Sequence, residues 1–356
     1  MSRRTVAGLL AAVLVVGLAV VALSRPVPYV TFAPGPTVNV LGTGDQGKDS
    51  KAIISVEGHR AYRDQGALRL TTVVPSGPQQ KVSIPGLVSA WVDPDRAVYP
   101  YQAIYQAQDT RTSVRQQSSV EMVSSQDNAV AAALRALQIP FSTAVKVAAV
   151  EKGGPAAGKL RTGDYVLAVD GSKIEGVDQV TSRIRALPVG SRVTLEVERG
   201  GRTLQERLRT VTSTVDKKSS AVRVSIAPTY RFPFDVKLNL AQNIGGPSGG
   251  MMFAMGIYDV LTPGSLTGGK VIAGTGEIDA AGTVGEIGGI QQKLVGAQGD
   301  GARLFLVPAG NCAEALGGHY DPQKMRLVKV TTLDEAIKDV KAWVKDPQAK
   351  LARCTR

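Results

Sequence analysis

The amino-acid sequence predicts a mixed α/β protein that follows one membrane-spanning helix. Residues 5–24 form an uncharged apolar run with the length of a membrane span. Residues 67–74 have the pattern of a strand, and residues 129–137 have the apolar spacing of a helix. Short strand patterns dominate from residue 145, and an amphipathic helix is predicted at 333–344. Strands and helices therefore share the fold, with a mainly-β segment in the middle.

The apolar N-terminal run has the features of a membrane anchor. It can cross a hydrocarbon core of ~30 Å, and Arg3 and Arg4 before it favour a cytoplasmic N-terminus with the body outside. The alternative is a signal peptide cleaved after Ala22 or Ser24, although such apolar cores usually have only ~7–15 residues. We predict a single-pass protein of the cell membrane with an extracytoplasmic body. Under both interpretations the body is exported.

Composition excludes several classes of function. The 356 residues allow two or three domains, and 43% are hydrophobic, which supports sizeable cores. The net charge is +12, yet no zinc finger, basic helix or basic aromatic stripe accompanies it. We therefore predict no nucleic-acid partner. Two cysteines and two distant histidines do not form a recognisable metal motif, so neither a metal nor another cofactor is predicted.

Cys312 and Cys354 form an even pair in a chain predicted to enter an oxidising compartment. They could be joined or remain free thiols. We predict a disulfide that ties the C-terminal tail to the preceding domain.

Four aromatic residues of the first half could form a binding strip: Trp91, Tyr99, Tyr101 and Tyr105. Aromatic side chains at this density more often belong to a core. We therefore predict that they are buried.

A glycine-flanked serine lies where an apolar run begins, in the segment 245–258 with the sequence GGPSGGMMFAMGIY. Ser248 would lie at a helix start, close to free backbone N–H groups that could bind an oxyanion. That is the position a nucleophilic serine needs. The alternative is a glycine-rich turn that only starts a buried helix.

Lys293 is the candidate base for this serine. Ile290, Leu294 and Ala297 recur at helical spacing, which places Lys293 on or beside a buried helix face. A lysine acts as a base only when it is neutral, and burial among apolar groups lowers its pKa from ~10.4. The alternative is a lysine whose stem follows the core while its ammonium reaches water.

These blocks resemble the proteolytic domain of Lon proteases, because G-P-S-x-G is followed by T-G-E-I, by G-G-I-x-x-K-L-x-x-A and by a strand at 303–308. The resemblance implies a Ser-Lys dyad of Ser248 and Lys293, with Thr275 orienting the lysine. It also raises the chance of a ring of several copies. Gly245 stands where many Lon enzymes have an aspartate, so any role of that aspartate is in doubt here.

The middle segment resembles a bacterial PDZ domain. Strand patterns at 145–150 and 165–169 flank the sequence GGPAAGKLRTGD, a helix follows with Val177, Val180 and Ile184 on one face, and residues 192–198 alternate as a strand. PDZ domains bind an extended peptide, often a C-terminus, as an added strand. The alternative is a PDZ fold kept only as a spacer.

The resemblances together imply a Lon-type proteolytic domain of α/β (α+β) class, split by an inserted mainly-β PDZ domain. The predicted boundaries are 1–25 for the N-terminal tip and transmembrane helix, 26–142 for the first proteolytic part, 143–213 for the PDZ domain, 214–345 for the catalytic part and 346–356 for a basic tail. This combination resembles the YlbL family of membrane-anchored Lon-like proteases.

The predicted function is that of an ATP-independent serine endopeptidase that acts on unfolded or tail-tagged exported proteins. Residues 264–271 nearly match a phosphate-binding loop, but Val271 stands where Ser or Thr should hold magnesium, and the predicted order of helix and strand is reversed. Two alternatives remain: a G-x-S-x-G hydrolase that uses His319, and an inactive PDZ adaptor on a protease scaffold.

Overall fold

The computed structural model describes residues 2–44, 51–80, 82–214, 216–239 and 246–355. The chain divides into two compact units. One comprises Met1–Gln138 and Phe234–Arg356, and the other is Ile139–Pro233. A mixed α/β unit, a mainly-β unit inserted in its sequence and one long apolar N-terminal helix confirm the predicted fold class. The sequence also predicts a strand at 236–240 that leads into the serine turn; its last residue, Leu240, and Gly245 lie outside the described residues.

The first unit is built on a six-stranded sheet. In spatial order its strands are Arg326–Val330, Leu304–Pro308, Val271–Gly274, Ala67–Pro75, Tyr29–Asn39 and Ala97–Pro100. The first four run parallel to one another, and each of the last two pairs antiparallel with the strand before it. Every residue of Leu304–Pro308 is buried, as expected for an inner parallel strand that is covered on both faces.

The other elements of the first unit surround this sheet. The helices are Arg3–Ser24, Ile84–Val92, Tyr101–Ile104, Arg111–Ala136, Gly250–Leu261, Ile290–Gly299, Cys312–Ala315 and Leu333–Lys345. Three pairs of short strands complete the unit: Pro26–Val27 with Val82–Ser83, Ile54–Glu57 with Asp235–Leu238, and Glu277–Ile278 with Val284–Gly285. Single helical turns occur at Pro247–Gly249 and Ala309–Asn311.

The N-terminal helix, Arg3–Ser24, is called the anchor helix below. Its segment Arg3–Val21 is long and apolar enough to cross a membrane, and none of it is buried within the chain, although a signal sequence has the same properties. The prolines that follow, in residues 25–36, predict an extended stalk leading into the first folded part. Instead, Tyr29–Asn39 is an inner strand of the six-stranded sheet. The register shifts between Pro34 and Thr37, and such a bulge accommodates residues that cannot donate to the ladder.

The second unit, Ile139–Pro233, contains a six-stranded antiparallel sheet and one longer helix. The strands of this sheet are Ser142–Val150, Tyr165–Val169, Ser172–Lys173, Arg192–Arg199, Arg202–Arg209 and Val224–Arg231, the helix is Val177–Arg185, and Val211–Thr212 pairs separately with Ser220–Ala221. The helix buries Val180 and Ile184 as predicted.

Strand Val224–Arg231 extends this unit beyond the predicted limit at residue 213. It pairs along its whole length with Ser142–Val150 and ends the row of strands. The two strands are more than 70 residues apart in sequence, so their alternation alone did not show that they share a sheet. Residues 224–231 had been assigned to the catalytic part.

The structure contains the predicted disulfide between Cys312 and Cys354. The tail that it holds packs against the first unit, because Leu351 is buried and the Lys329 N–H donates to the Ala352 carbonyl at 3.1 Å. The basic residues of the tail predict a solvated face, whereas the structure buries part of the tail.

Removing this disulfide should destabilise the first unit. The crosslink closes a loop of 42 residues, which corresponds to about 2–4 kcal/mol of unfolding free energy. We expect Cys312→Ser/Cys354→Ser to lose this amount in urea titrations. Reductant should produce the same loss in the unaltered chain and no further loss in the variant. Alkylation of both thiols in the folded, exported protein without reductant would contradict this prediction.

Candidate active site

The turn that carries Ser248 is held by close backbone packing. Gly246 has φ of +90°, and the helical turn Pro247–Gly249 leads directly into the buried helix Gly250–Leu261. A Cβ atom at Gly250 would lie 2.8 Å from the Ser125 hydroxyl and 2.9 Å from a methyl group of Ile278. Glycine is therefore required at Gly246 by conformation and at Gly250 by space.

Hydrogen bonds fix the backbone on both sides of the serine. The Ser248 carbonyl accepts from the Thr275 hydroxyl at 2.9 Å and from the Gly276 N–H at 2.8 Å. The Ser125 hydroxyl donates to the Pro247 carbonyl at 3.1 Å. Thr275 was predicted from the sequence as a site residue, whereas Ser125 and Gly276 were not. Ser125 lies 122 residues from Pro247, and no sequence pattern signalled that contact.

Lys293 is buried as predicted. It lies on helix Ile290–Gly299, is only 2% exposed, and its amine donates to the Thr275 hydroxyl at 3.0 Å. Burial lowers the pKa of Lys293 from 10.5 to about 7, against the opposing effect of the Glu277 and Glu314 carboxylates. A substantial fraction of this amine is therefore neutral near neutral pH, as a general base requires.

Ser248 and Lys293 line the same small cavity, which has a volume of about 80 Å³. Its walls also include strand residues Leu70 to Val73 and the side chains of Met122 and Phe253. Thr275 connects the two polar groups, since it donates to the serine carbonyl and accepts from the lysine. In the part of the chain that the structure describes, no hydrogen bond joins the Ser248 hydroxyl directly to the Lys293 amine. The geometry brings all three predicted site residues together.

His319 does not share this cavity. Its side chain is 65% exposed, and Nδ1 lies 2.6 Å from the Asp95 carboxylate. The cavity lining includes Ser248 and Lys293 but not His319. The arrangement therefore offers no geometric support for the alternative histidine hydrolase.

Comparison with protein families identifies both parts of the chain. The model of the Lon protease (S16) C-terminal proteolytic domain matches residues 200–341, and that of the PDZ domain matches residues 115–210. The chain combines a Lon-type proteolytic domain with a PDZ domain. The two matches overlap at residues 200–210 and differ from the compact unit Ile139–Pro233.

Curated Lon proteases are similar to the Lon-type domain. The Lon protease of Azospirillum brasilense is 31% identical over 158 residues, covering 43% of this chain and 19% of that protein. That of Phenylobacterium zucineum is 29% identical over 141 residues, covering 38% of this chain and 17% of that protein. The matched segment thus spans less than a fifth of these two relatives.

Among solved structures, the PDZ domain of the SdrC-like protein from Listeria monocytogenes is 22% identical. The alignment covers 23% of this chain and 86% of that chain, with a TM-score of 0.22.

The second unit, Ile139–Pro233, is called the PDZ unit. It contains a cavity of about 510 Å³, larger than the cavity of Ser248 and Lys293, which we call the PDZ groove. It lies between helix Val177–Arg185 and strand Val224–Arg231, and its lining includes Thr181, Arg185 and Arg223. Strand Val224–Arg231 pairs with Ser142–Val150 on one side and ends the described row of strands on the other. Such an edge presents backbone groups that can pair with an extended peptide.

Proposed function

We propose that this chain is a membrane-anchored, ATP-independent Lon-like serine endopeptidase of the YlbL type. Ser248 would be the nucleophile, Lys293 the general base, and Thr275 the residue that positions the lysine. The observation that carries the proposal is the buried Lys293 amine, which has a pKa of about 7 and lines the serine's cavity. Burying a lysine amine costs folding free energy. Strongly shifted pKa values of this kind cluster at functional sites, where the neutral amine can act as a base.

The proposed chemistry needs one proton carrier. Neutral Lys293 accepts the proton of the Ser248 hydroxyl while Oγ attacks the scissile carbonyl, and the protonated amine then donates to the leaving nitrogen. Water hydrolyses the resulting ester with the lysine again as base. Backbone N–H groups at the start of helix Gly250–Leu261 are the candidates for stabilising the oxyanion.

The segment that resembles a nucleotide loop supports the ATP-independent interpretation. Residues 264–271 connect helix Gly250–Leu261 to strand Val271–Gly274, the reverse of a strand–loop–helix phosphate site. The Thr267 hydroxyl donates to the Gln65 carbonyl at 3.3 Å, and a Cβ atom at Gly268 would meet Val344 at 2.4 Å. Gly268 thus serves packing against helix Leu333–Lys345.

The direct test is cleavage of a permanently unfolded protein by the full chain in detergent, with and without ATP. We expect equal cleavage in both conditions and loss of at least about 10³-fold in Ser248→Ala, because the nucleophile is removed. Ser265→Ala is the matched control, since Ser265 is a half-buried serine outside the cavity that donates to the Gln65 carbonyl. Cleavage by Ser248→Ala at the rate of the unaltered chain would refute the proposal.

We further propose that the PDZ groove binds the C-termini of substrates. Arg185, Arg223 and Glu151 line this groove, and Glu151 pairs with Arg223 at 3.1 Å. The positive charge of Arg185 therefore favours a terminal carboxylate. The substrates would be unfolded or tail-tagged exported proteins, because no unfolding module is proposed for this chain and only flexible segments can reach the serine. A ring of several copies is part of the same proposal, by resemblance to Lon enzymes.

Reversing one charge in the PDZ groove should change substrate choice without changing the chemistry. We expect Arg185→Glu to weaken binding of peptides with a free C-terminus by about tenfold and to leave cleavage of a short untagged peptide unchanged. Arg202→Glu, on the strand at the opposite edge of the sheet, is the control. Isothermal titration with free and amidated C-termini checks this, and equal loss for both peptides would contradict carboxylate recognition.

A further inference from the structure

The helix Ile84–Val92 is an unusually apolar surface element, and we call it the surface helix. Its sequence, IPGLVSAWV, contains no charged residue. Trp91 is 80% exposed, Val92 73% and Val88 48%, whereas only Ala90 is fully buried. Tyr105 is buried as predicted, and Tyr99 and Tyr101 are half-buried against the same apolar cluster. For Trp91 the prediction of burial is wrong.

Other exposed apolar side chains lie at the same end of the first unit. Outside the anchor helix, the large apolar residues exposed in the described part of the chain are Tyr29, Val74, Val88, Trp91, Val92, Ile104, Val123 and Val189. Val88, Trp91 and Val92 belong to the surface helix, and Tyr29, Val74 and Ile104 lie near one end of the six-stranded sheet. Tyr29 begins its strand opposite Pro100, Val74 pairs with Ala33 of that same strand, and Ile104 closes the helix that follows Pro100.

This end is also where the anchor helix joins the body. The anchor helix ends at Ser24, and the next strand, Pro26–Val27, pairs with Val82–Ser83. The surface helix begins at the following residue, and the Ser83 hydroxyl caps it by accepting from the Gly86 N–H. The strand pair therefore fixes the start of the surface helix within a few residues of the end of the anchor helix.

We infer that the surface helix lies in the interfacial layer of the membrane that the anchor helix spans, with Trp91 and Val92 among the lipid headgroups and upper acyl chains. The inference rests on the proposed membrane anchoring. The partner is a lipid surface, because the element is uncharged, apolar and continuous with the anchor. Tryptophan is enriched at this depth, where its ring is apolar and its N–H still reaches polar groups.

The exposed apolar end and the candidate active site share the strand Ala67–Pro75. Val73 lines the cavity of Ser248 and Lys293, and the next residue, Val74, belongs to the exposed apolar end. Because successive side chains of a strand point to opposite faces, the cavity and the exposed Val74 lie on opposite faces of the same strand at neighbouring positions.

The chain contains only two tryptophans, which makes the inference testable by fluorescence. Trp343 is 6% exposed and its ring packs beneath the Lys270 amine at 4.6 Å, so it is an internal control for Trp91. Trp343→Phe leaves Trp91 as the only probe, and Trp91→Phe leaves Trp343. Both full-length variants are placed in phosphatidylcholine–phosphatidylglycerol vesicles, with part of the phosphatidylcholine brominated on its acyl chains.

We expect brominated lipid to quench Trp91 at least about twofold, as for an interfacial ring, and to leave Trp343 unchanged. Adding Val88→Ser/Val92→Ser to the Trp91 probe should reduce this quenching, whereas Val189→Ser, at an exposed valine of the PDZ unit, should not. Vesicle flotation tests the membrane anchoring separately from the position of the surface helix. A chain that does not float refutes the membrane anchoring itself.

A floating chain whose Trp91 is quenched by aqueous iodide but not by brominated lipid overturns the inference and leaves the anchor intact. Shielding of Trp91 from both quenchers would also overturn it, because a protein surface such as a second copy would then cover the surface helix.

Discussion

Replacing Lys293 with alanine or with arginine should abolish cleavage, with a loss of at least about 10³-fold in kcat/KM. Alanine removes the base, and arginine keeps the positive charge but does not release its proton near neutral pH. Ser248→Ala should be equally inactive. The double variant Ser248→Ala/Lys293→Ala should be little worse than either single variant, because the two residues would act as one unit. Initial rates on a fluorogenic peptide at saturating and limiting concentrations measure these effects.

The pH profile of the unaltered chain provides a second readout of the same prediction. The pKa of Lys293 is about 7, and only the neutral amine can accept the serine proton. We therefore expect kcat/KM to rise as pH increases through about 7 and to level off above it. His319→Ala should leave this profile unchanged, since His319 is exposed and pairs with Asp95. Two results would overturn the Ser-Lys mechanism. One is full activity in Lys293→Ala, and the other is loss of the rise in kcat/KM through pH 7 in a folded His319→Ala variant.

Thr275 should have a smaller effect than either dyad residue. Thr275→Val keeps the shape of the buried side chain but removes the hydroxyl that accepts from Lys293 and donates to Ser248. We expect about a 10- to 100-fold loss, as for a misplaced catalytic group, and rescue by Thr275→Ser. A loss in Thr275→Val as complete as that in Lys293→Ala would indicate that the threonine itself takes part in the proton transfer.

Lys293→Met should make the inactive protein more stable than the unaltered chain near neutral pH. The pKa of Lys293 is about 7 in the folded state against 10.5 for the ordinary side chain, so the unfolded chain binds its proton more tightly. That difference corresponds to a cost of about 2–5 kcal/mol at ~1.4 kcal/mol per pKa unit. Methionine has similar length and does not carry this cost. Urea titrations of both proteins measure the difference.

The sign of the pH dependence makes this prediction specific. The cost of burying Lys293 is complete below about pH 7, where both states hold the proton, and it declines as pH rises towards 10.5. The advantage of Lys293→Met should therefore be largest at pH 6 to 7 and shrink at higher pH. Lys324→Met, at a 70% exposed lysine, is the matched control and should show no such trend. A Lys293→Met variant that is less stable at every pH would contradict the interpretation of the lysine as a strained buried group.

Local sequence patterns predicted much of the fold because local forces determine those elements. The strand Tyr165–Val169 and the start of helix Leu333–Lys345 match the prediction. In the latter case Thr332 caps the helix by accepting from the Glu335 N–H. The long helix Arg111–Ala136 was predicted only from residue 129, because its first half is polar and lacks an apolar period. Its true start is a capping box formed by Thr110 and Ser113.

Contacts between distant residues account for what sequence patterns missed. Prolines made residues 25–36 resemble a stalk, although the strand Tyr29–Asn39 is held inside the sheet by partners from two other segments. The contribution of Ser125 to the serine turn depends on a helix more than a hundred residues away. That Ser248, Lys293 and Thr275 lie together could be predicted, because the motifs that contain them are local. Their supporting contacts could not, because these join separate elements.

The short connection between the anchor helix and the sheet limits where this molecule can act. Only residues 25–28 separate Ser24 from strand Tyr29–Asn39, so the five Cα steps from Ser24 to Tyr29 span at most ~18 Å even when fully extended. With the anchor in a bilayer, the body cannot search the surrounding volume as a freely tethered domain would. Its encounters become those of a molecule diffusing in a plane. Cleavage would then depend on the number of substrate chains per area of membrane, and only weakly on their concentration in the compartment beyond.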